Sequence, residues 1–375
     1  MENILWLLFF IAAATQFLYL TLVFGRVAFV YKFVDKGEDE KKPEGVSVII
    51  AARNEREHLE KLIPELFRQD YPVFEVVVVN DRSTDDTEGL LRELSAHFPL
   101  LRPVNIRYTP DHVTAKKYAL TLGIKVSKHD VLLLTDADCK PVSTKWVRLM
   151  SAPVRNANKI FALGHGSYLN QPGILNKMIQ FETMLTALYC FSFGLWRAPF
   201  MGIGRNLCYR KDFFMEQKAF KNLWHIEGGD DDLFVNRHAN KKNTAVVIHP
   251  ESITVSIPKT SFRDYLVQKN RHFHAGKYYK PKDKLKLGVY SFSHLVFWGT
   301  ALIVLVNSRS WEPITLVIGL ILSRAFLQYA VMKGARKKLE GAGKVLWTMF
   351  FDLMYMIYFW IVGTKGYLSK TVRWK

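Results

Sequence analysis

Val131-Leu-Leu-Leu-Thr-Asp-Ala-Asp138 is a short apolar run that ends in two aspartates one residue apart. An unbroken Val/Leu run of this length reads as a strand buried on both faces. Val46-Ser-Val-Ile-Ile50 and Glu75-Val-Val-Val-Val-Asn80 have the same character. The segments between them are predicted helices. Residues 55–69 put Leu59, Leu62, Ile63 and Leu66 on one face, a helix begins after Ser83 or Asp85, and another covers Lys116 to Val126. Strands alternating with helices make an α/β domain whose parallel sheet is covered on both sides. Ligands in such sheets sit beyond the carboxyl ends of the strands, which is where Asp136 and Asp138 fall.

An Asp-x-Asp pair alone reads equally well as a solvated turn or a helix cap. At a strand end, two carboxylates suit a hard divalent cation, Mg²⁺ or Mn²⁺, that bridges them to diphosphate oxygens. Asn80-Asp-Arg-Ser-Thr-Asp-Asp-Thr87 follows another buried strand. Its later residues suit capping of the next helix, while Asp81, at the strand tip, can accept a hydrogen bond from a base ring N–H. The chain has no Gly-rich phosphate cradle of the dinucleotide or P-loop kind. A nucleotide would therefore be held by carboxylates, metal and a cation, for which Lys116 is the candidate.

Gly228-Gly-Asp-Asp-Asp232 is a further acidic cluster. One of its carboxylates can take the proton of an acceptor hydroxyl, and the like charges around it raise its proton affinity. In Gln268-Lys-Asn-Arg-His272, the Arg271 guanidinium matches diphosphate oxygens. The same stretch also reads as a basic amphipathic helix with Lys269, Lys277 and Lys280 at lipid headgroups. His249 reads as structural.

Of the 375 residues, 49% are hydrophobic and 23% charged, so the chain is neither an ordinary soluble domain nor membrane-embedded throughout. The net charge of +18 fits anionic lipid headgroups or a phosphorylated substrate. Its basic residues gather beside apolar runs and no nucleic-acid-binding motif is present, so nucleic acid is not an expected partner. Cys139, Cys190 and Cys208 have no metal-type spacing and read as packing residues, mildly favouring a reducing compartment.

The run from about Ile4 to Val30 is long enough to cross a bilayer. It reads as an uncleaved anchor rather than a secretory signal, because Glu2 stands where positive charge belongs. Arg26, Lys32 and Lys36 after it place the following domain in the cytoplasm. Three more apolar segments cover Leu287–Val306, Trp311–Met332 and Val345–Val362, with a basic loop Lys333–Lys338 between the last two. The third carries Asp352 and either crosses or lies in the interface. Met184–Met201 lies against the bilayer, lines the site's mouth, or is a buried helix.

Taken in order, these motifs resemble the inverting glycosyltransferases of family 2. The matching pieces are Val46-Ser-Val-Ile-Ile-Ala-Ala-Arg-Asn-Glu55, Val79–Thr87, Ala115–Leu120, Thr135–Asp138, Gly202-Ile-Gly-Arg-Asn206, Gly229–Leu233 and Gln268-x-x-Arg271. The resemblance covers roughly Val46 to Gly276. It implies a GT-A fold, a mixed sheet flanked by helices, with one N-terminal and two to three C-terminal transmembrane helices. It also implies donor contacts from Ala51, Arg53, Glu55, Asp81, Lys116, Asp136 and Arg271, and a metal at Asp136 and Asp138. Asp231, with Asp230 competing, would be the base, and Asp232, Gln268 and His272 would face the acceptor. Where many synthases of this family carry Gln-x-x-Arg-Trp, this chain has His272, a smaller stacking platform. The family's Glu-Asp pair is met here by Gly229-Asp230 or Asp230-Asp231.

The expected domains are an anchor (1–37), a GT-A domain (38–285) and a C-terminal membrane region (286–375). The expected function is metal-dependent transfer of a sugar from a nucleotide-sugar donor, a UDP-sugar, to a glycan or lipid-linked acceptor. The expected place is the cytoplasmic face of a bacterial-type inner membrane, with membrane lipids as partners. Processive polysaccharide synthesis with export, or a non-catalytic scaffold that binds a nucleotide sugar, are the alternatives.

Overall fold

The computed structural model describes residues 2–31, 44–156, 159–340 and 348–369. Lys32, Lys36 and the expected 37/38 boundary lie outside the described residues, as do Val345–Trp347, Lys370, Arg373 and Lys375.

Ten strands run in chain order: β1 (Val46–Ala52), β2 (Phe74–Asp81), β3 (Leu101–Ile106), β4 (Val131–Leu134), β5 (Cys139–Pro141), β6 (Phe161–Leu163), β7 (Gly166–Tyr168), β8 (Leu207–Arg210), β9 (Thr244–Val246) and β10 (Thr254–Ser256). Seven form one sheet in the order β3-β2-β1-β4-β8-β6-β9, and β5-β10-β7 form a second. The predicted strands β1, β2 and β4 are parallel neighbours at the centre. Beyond them β8 runs antiparallel to both β4 and β6, so the sheet is mixed rather than all parallel. The far strands β6 and β8 escaped the sequence pattern because three or four residues carry too little periodicity to stand out, whereas Ala245–Ile248, read as a strand before His249, overlaps β9.

Helices α1 (Glu2–Leu18), α2 (Arg56–Leu66), α3 (Thr87–His97), α4 (Ala115–Val126), α5 (Trp146–Asn156) and α6 (Ile174–Leu195) accompany the first seven strands. Alternation in β1 explains how the central strands are covered. Val46, Val48 and Ile50 join Leu59, Leu62, Ile63 and Leu66 of α2 in one core, while Ile49, Val77 and Val79 join Ala119, Leu120 and Ile124 of α4 in another. With apolar side chains needed on both faces, the central strands carry few polar residues before their ends. Asp81 and Asp136 mark those ends; the buried Ser47 and Glu75 near the starts satisfy each other through a hydrogen bond of 2.6 Å.

Six more helices follow: α7 (Lys211–Glu216), α8 (Asp232–His238), α9 (Phe262–Gly276), α10 (Pro281–Asn307), α11 (Trp311–Leu339) and α12 (Thr348–Leu368). Among the described residues three helices are long and apolar enough to cross a bilayer, Asn3–Val30, Pro281–Asn307 and Trp311–Leu339. The expected 285/286 boundary falls inside α10. Lys333–Lys338, expected as a loop, forms the last turns of α11. Lys and Arg are good helix formers, and positive charge is favoured at a helix C-terminus. Met184–Met201 begins within α6, most of which is buried; it is a core helix that also contributes to a cavity wall.

Asp352, the anomaly of the last apolar segment, has partners on two other helices. Its carboxylate accepts from Arg324 of α11 at 2.7 Å, from Gln328 at 2.7 Å, and meets His294 of α10 at 2.9 Å. Arg324 also donates to Gln16 of α1 at 2.7 Å. All these side chains are buried. Removing one member of a buried pair strands the other charge at a cost of about 3–5 kcal/mol. Arg324→Met should therefore lower the thermal unfolding midpoint in detergent sharply, and Arg324→Met/Asp352→Leu should restore most of the loss.

Candidate active site

Lys116, in the first turn of α4, reaches across the carboxyl edge of the sheet. Its ammonium lies 3.0 Å from Asp136 and 3.2 Å from Asp230. It thus ties the turn after β4 to the acidic loop before α8. Burial disfavours its charge, but Asp136, Asp230 and Asp231 outweigh that and raise its proton affinity. Burial likewise pushes Asp230 up, and the charges of Lys116 and Lys117 bring it below the usual carboxylate range.

The three aspartates of the loop differ. Asp231 is the N-cap of α8: one oxygen accepts from the Asp232 N–H at 2.8 Å and the other from the Gly204 N–H at 2.5 Å. Asp232 accepts from the Leu233 N–H at 2.7 Å and the Tyr279 hydroxyl at 2.7 Å. Burial and the neighbouring Asp231 push Asp232 up to about 7. The loop turns through Gly228 and Gly229, with φ of +76° and +71°. A side chain at Gly229 would be strained by that conformation and would also strike Leu233. The glutamate of the family's Glu-Asp pair does not fit there.

Lys117 has a different task. Its buried ammonium donates to the carbonyls of Ile226 and Gly228, on the loop that presents the aspartates. The sequence reading passed over it, because adjacent lysines on a helix normally mark a solvated face. The clue that was available is its place in a helix otherwise apolar on that side, beside Leu120 and Ile124.

Asp136, Asp138 and Cys139 bring one potential ligand atom each within 4.8 Å of one another. Burial, and after it the Asp136 charge, raises the proton affinity of Asp138. The Cys139 thiol contacts Ser256 Oγ at 2.8 Å, and burial pushes it well above its ordinary value. A soft thiol is a poor match for a hard cation, so the donors suited to Mg²⁺ or Mn²⁺ are the carboxylate oxygens of Asp136 and Asp138. Arg205 adds positive charge beside this cluster. Its guanidinium bonds the carbonyls of Gly166 and Ser167 and the Ser256 hydroxyl, and stacks 4.1 Å from the Tyr168 ring centre. The motif Gly202–Asn206 pointed to this region without revealing that role.

A cavity of about 650 Å³ opens on this cluster. Lys116, Asp136 and all three loop aspartates line it, together with Gln268, Arg271 and His272 of α9. Gln268 approaches the Tyr168 hydroxyl at 3.5 Å, and His272 is exposed. Ala51, Arg53, Glu55 and Asp81 lie outside the cavity wall, at the ends of β1 and β2. There the Glu55 carboxylate meets His58 at 2.5 Å, and Asp81 is buried and paired with Arg82 at 2.8 Å. The loops after β1 and β2 latch onto each other through Asn54, Ser83 and Thr84. His249 caps a short turn by accepting from the Glu251 N–H, and all three cysteines are buried and free.

Residues 47–217 match the family model of glycosyl transferase family 2, so the chain carries a glycosyl transferase family 2 domain. Over 124 residues it is 33% identical to a 4,4'-diaponeurosporenoate glycosyltransferase of Staphylococcus haemolyticus, covering 32% of each chain. Over 130 residues it is 30% identical to a beta-monoglucosyldiacylglycerol synthase of Nostoc sp., covering 33% of this chain and 27% of that one. The matched segments thus span about a third of these relatives' lengths. A mannosyltransferase of Pyrobaculum calidifontis, solved in complex with GDP-Man and Mn2+, superposes with a TM-score of 0.60 at 18% identity. The match covers 90% of this chain and 100% of that one, and attests the expected GT-A fold.

Two outcomes follow from the loop chemistry. Lys117→Met would leave two buried carbonyls unpaired, at about 1–3 kcal/mol each, and should lower the thermal midpoint by several degrees. Asp232 is raised in the folded state, so its ionisation costs stability increasingly as pH climbs from the unfolded carboxylate value towards about 7. Asp232→Asn should therefore stabilise the protein at pH 8 more than at pH 4, read from thermal unfolding at both.

Proposed function

We propose that this chain is a membrane-anchored, inverting glycosyltransferase that moves a sugar from a nucleotide-diphosphate donor, a UDP-sugar, to a glycan or lipid-linked acceptor. The observation that carries this reading is the bridge from Asp136 through Lys116 to Asp230 at the end of one cavity. It sets a phosphate-binding cation beside a carboxylate that can serve an acceptor.

On this reading, Lys116 and Arg271 pair with the donor diphosphate. Asp136 and Asp138 hold Mg²⁺ or Mn²⁺, which when bound neutralises charge on the departing nucleoside diphosphate. Asp81 and the β1 end, with Ala51, Arg53 and Glu55, serve the nucleoside side; a donor base would replace Arg82 at Asp81. Two facts favour Asp230 over Asp231 as base. Both oxygens of Asp231 are engaged by backbone N–H groups, whereas Asp230 is held by Lys116, which a diphosphate would draw away. Asp230 then takes the acceptor hydroxyl proton, and a single displacement inverts the anomeric carbon. Asp232, Gln268 and His272 line the acceptor side.

The catalytic domain is read as cytoplasmic, at a bacterial-type inner membrane. His165 of that domain meets Glu340, just past α11, at 3.1 Å, and Lys338 donates to the Tyr31 carbonyl beyond the N-terminal helix. The basic end of α11 and the end of the first span thus lie on the catalytic side, which suits the positive-inside rule. The three domains keep their proposed roles of anchor, transferase and membrane region, joined through α10.

The test is release of nucleoside diphosphate by purified protein, with UDP-sugars and GDP-mannose as donors and Mn²⁺ present. Chelation or Asp138→Ala should abolish turnover; full activity in Asp138→Ala would overturn the metal assignment. Asp230→Asn should lower kcat by about 10²–10⁴-fold while a donor still raises the thermal midpoint. Asp231→Asn should instead lower the midpoint itself.

A further inference from the structure

The cavity does not end at the carboxylates. It continues between α9, α10 and α12, where its wall is formed by Leu287, Tyr290, Tyr355, Met356, Phe359 and Trp360. This arm is largely aromatic and aliphatic, and α10 is one of the helices long enough to cross a bilayer. Tyr367 and Leu368 at its far end are 53% and 72% exposed while still lining it, so the arm reaches the molecular surface. Gly288 of α10 lines the arm, and a side chain built there meets nothing within 4 Å. One end of a single cavity is thus charged and holds the proposed chemistry, and the other is mostly aromatic and aliphatic, with Lys284 among its lining, and borders the candidate membrane helix α10.

We infer that the acceptor is a membrane lipid with a neutral hydroxyl head, its hydrocarbon chain lying in this arm and its head at the acidic loop. The inference rests on the transferase reading above and names its acceptor. A water-soluble glycan has no use for an apolar arm, and burying it there would strip its hydroxyls of water without replacement. A hydrocarbon chain passing from bilayer to arm exchanges one apolar surface for another. The head follows from charge. Of the cations that also line the cavity, Lys116 and Arg271 are assigned above to the donor diphosphate, Lys117 and Arg205 are held by backbone carbonyls, Lys269 is paired with Glu182 at 2.8 Å, and Lys284 lies over the Tyr367 ring at the far end. Asp230, Asp231 and Asp232 are then left facing the head, where like charges repel a phosphate, whereas a hydroxyl brings no charge and needs a proton acceptor. The lipid hydroxyl oxygen forms its bond to the anomeric carbon as the bond from that carbon to the diphosphate oxygen breaks. The hydroxyl proton passes to Asp230, and the electron pair leaves on the nucleoside diphosphate.

The experiment uses the full chain in phosphatidylcholine nanodiscs with Mn²⁺ and radiolabelled donors. Dioleoylglycerol and hexadecyl glucoside are the hydroxyl-headed probes, polyprenyl phosphate is the anionic one, and glycerol and soluble oligosaccharides complete the set. The expected result is label in the organic phase with a hydroxyl-headed lipid. Gly288→Phe, whose Cβ meets no neighbour and whose ring is placed to occupy the arm, should reduce that transfer at least about tenfold, or 1.4 kcal/mol. Gly299→Phe is the control, since Gly299 is also open but lies outside the cavity wall; it should keep parental transfer. Nucleoside diphosphate release with label only in water-soluble product, or equal lipid transfer by Gly288→Phe and parent, overturns the lipid arm alone. Transfer to polyprenyl phosphate in place of the hydroxyl-headed probes overturns the neutral head. No release from any donor overturns the transferase reading itself.

Discussion

Five aspartates crowd together, four of them on the wall of this cavity, and the ammonium of Lys116 is what lets two of their groups stand together. Asp136 and Asp138 come from the turn after β4, and Asp230, Asp231 and Asp232 from a loop almost a hundred residues later. Like charges at such range repel strongly in a water-poor site. Lys116 touches one carboxylate of each group, Lys117 clamps the later loop by its carbonyls, and Arg205 stands beside the earlier pair. A divalent cation and a diphosphate would rearrange these contacts without adding a new element to the fold.

The membrane end meets the same problem with a different solution. Asp352 enters an apolar helix where an unpaired carboxylate would be costly, and it is matched at once by Arg324, Gln328 and His294. Since Gln16 extends that network to α1, four helices are held in one arrangement. Tyr290 and His294 of this bundle also line the cavity. The arrangement that satisfies a buried charge therefore also shapes the arm beside the catalytic domain.

Much of the fold was legible because burial on both faces leaves an unmistakable signature. β1, β2 and β4 are long apolar runs, their helices show a clear stripe, and Asp81 and Asp136 appear where the runs stop. The antiparallel β8, the short β6 and the second sheet left almost no trace, since a strand of three or four residues has no measurable period. The end of α11 misled in the opposite way: its cationic run looked like a loop, yet helix propensity and the helix dipole keep it helical.

Sequence alone determined the parallel core, apolar segments long enough to cross a bilayer, and several of the charged residues that line the cavity, because each is written in local patterns of burial and charge. Family resemblance gave Asp231 as base with Asp230 competing and set Asp232 towards the acceptor, with nothing local to show what holds each carboxylate. Only the tertiary structure told them apart, giving Asp231 to the backbone of Gly204 and Asp232, Asp232 to Tyr279, and Asp230 to Lys116. It also turned Lys117 from a presumed surface charge into the clamp of the acidic loop, and joined the carboxylates to an apolar arm. Most of these are contacts between residues from about thirty to over a hundred positions apart, and no local period or composition encodes them.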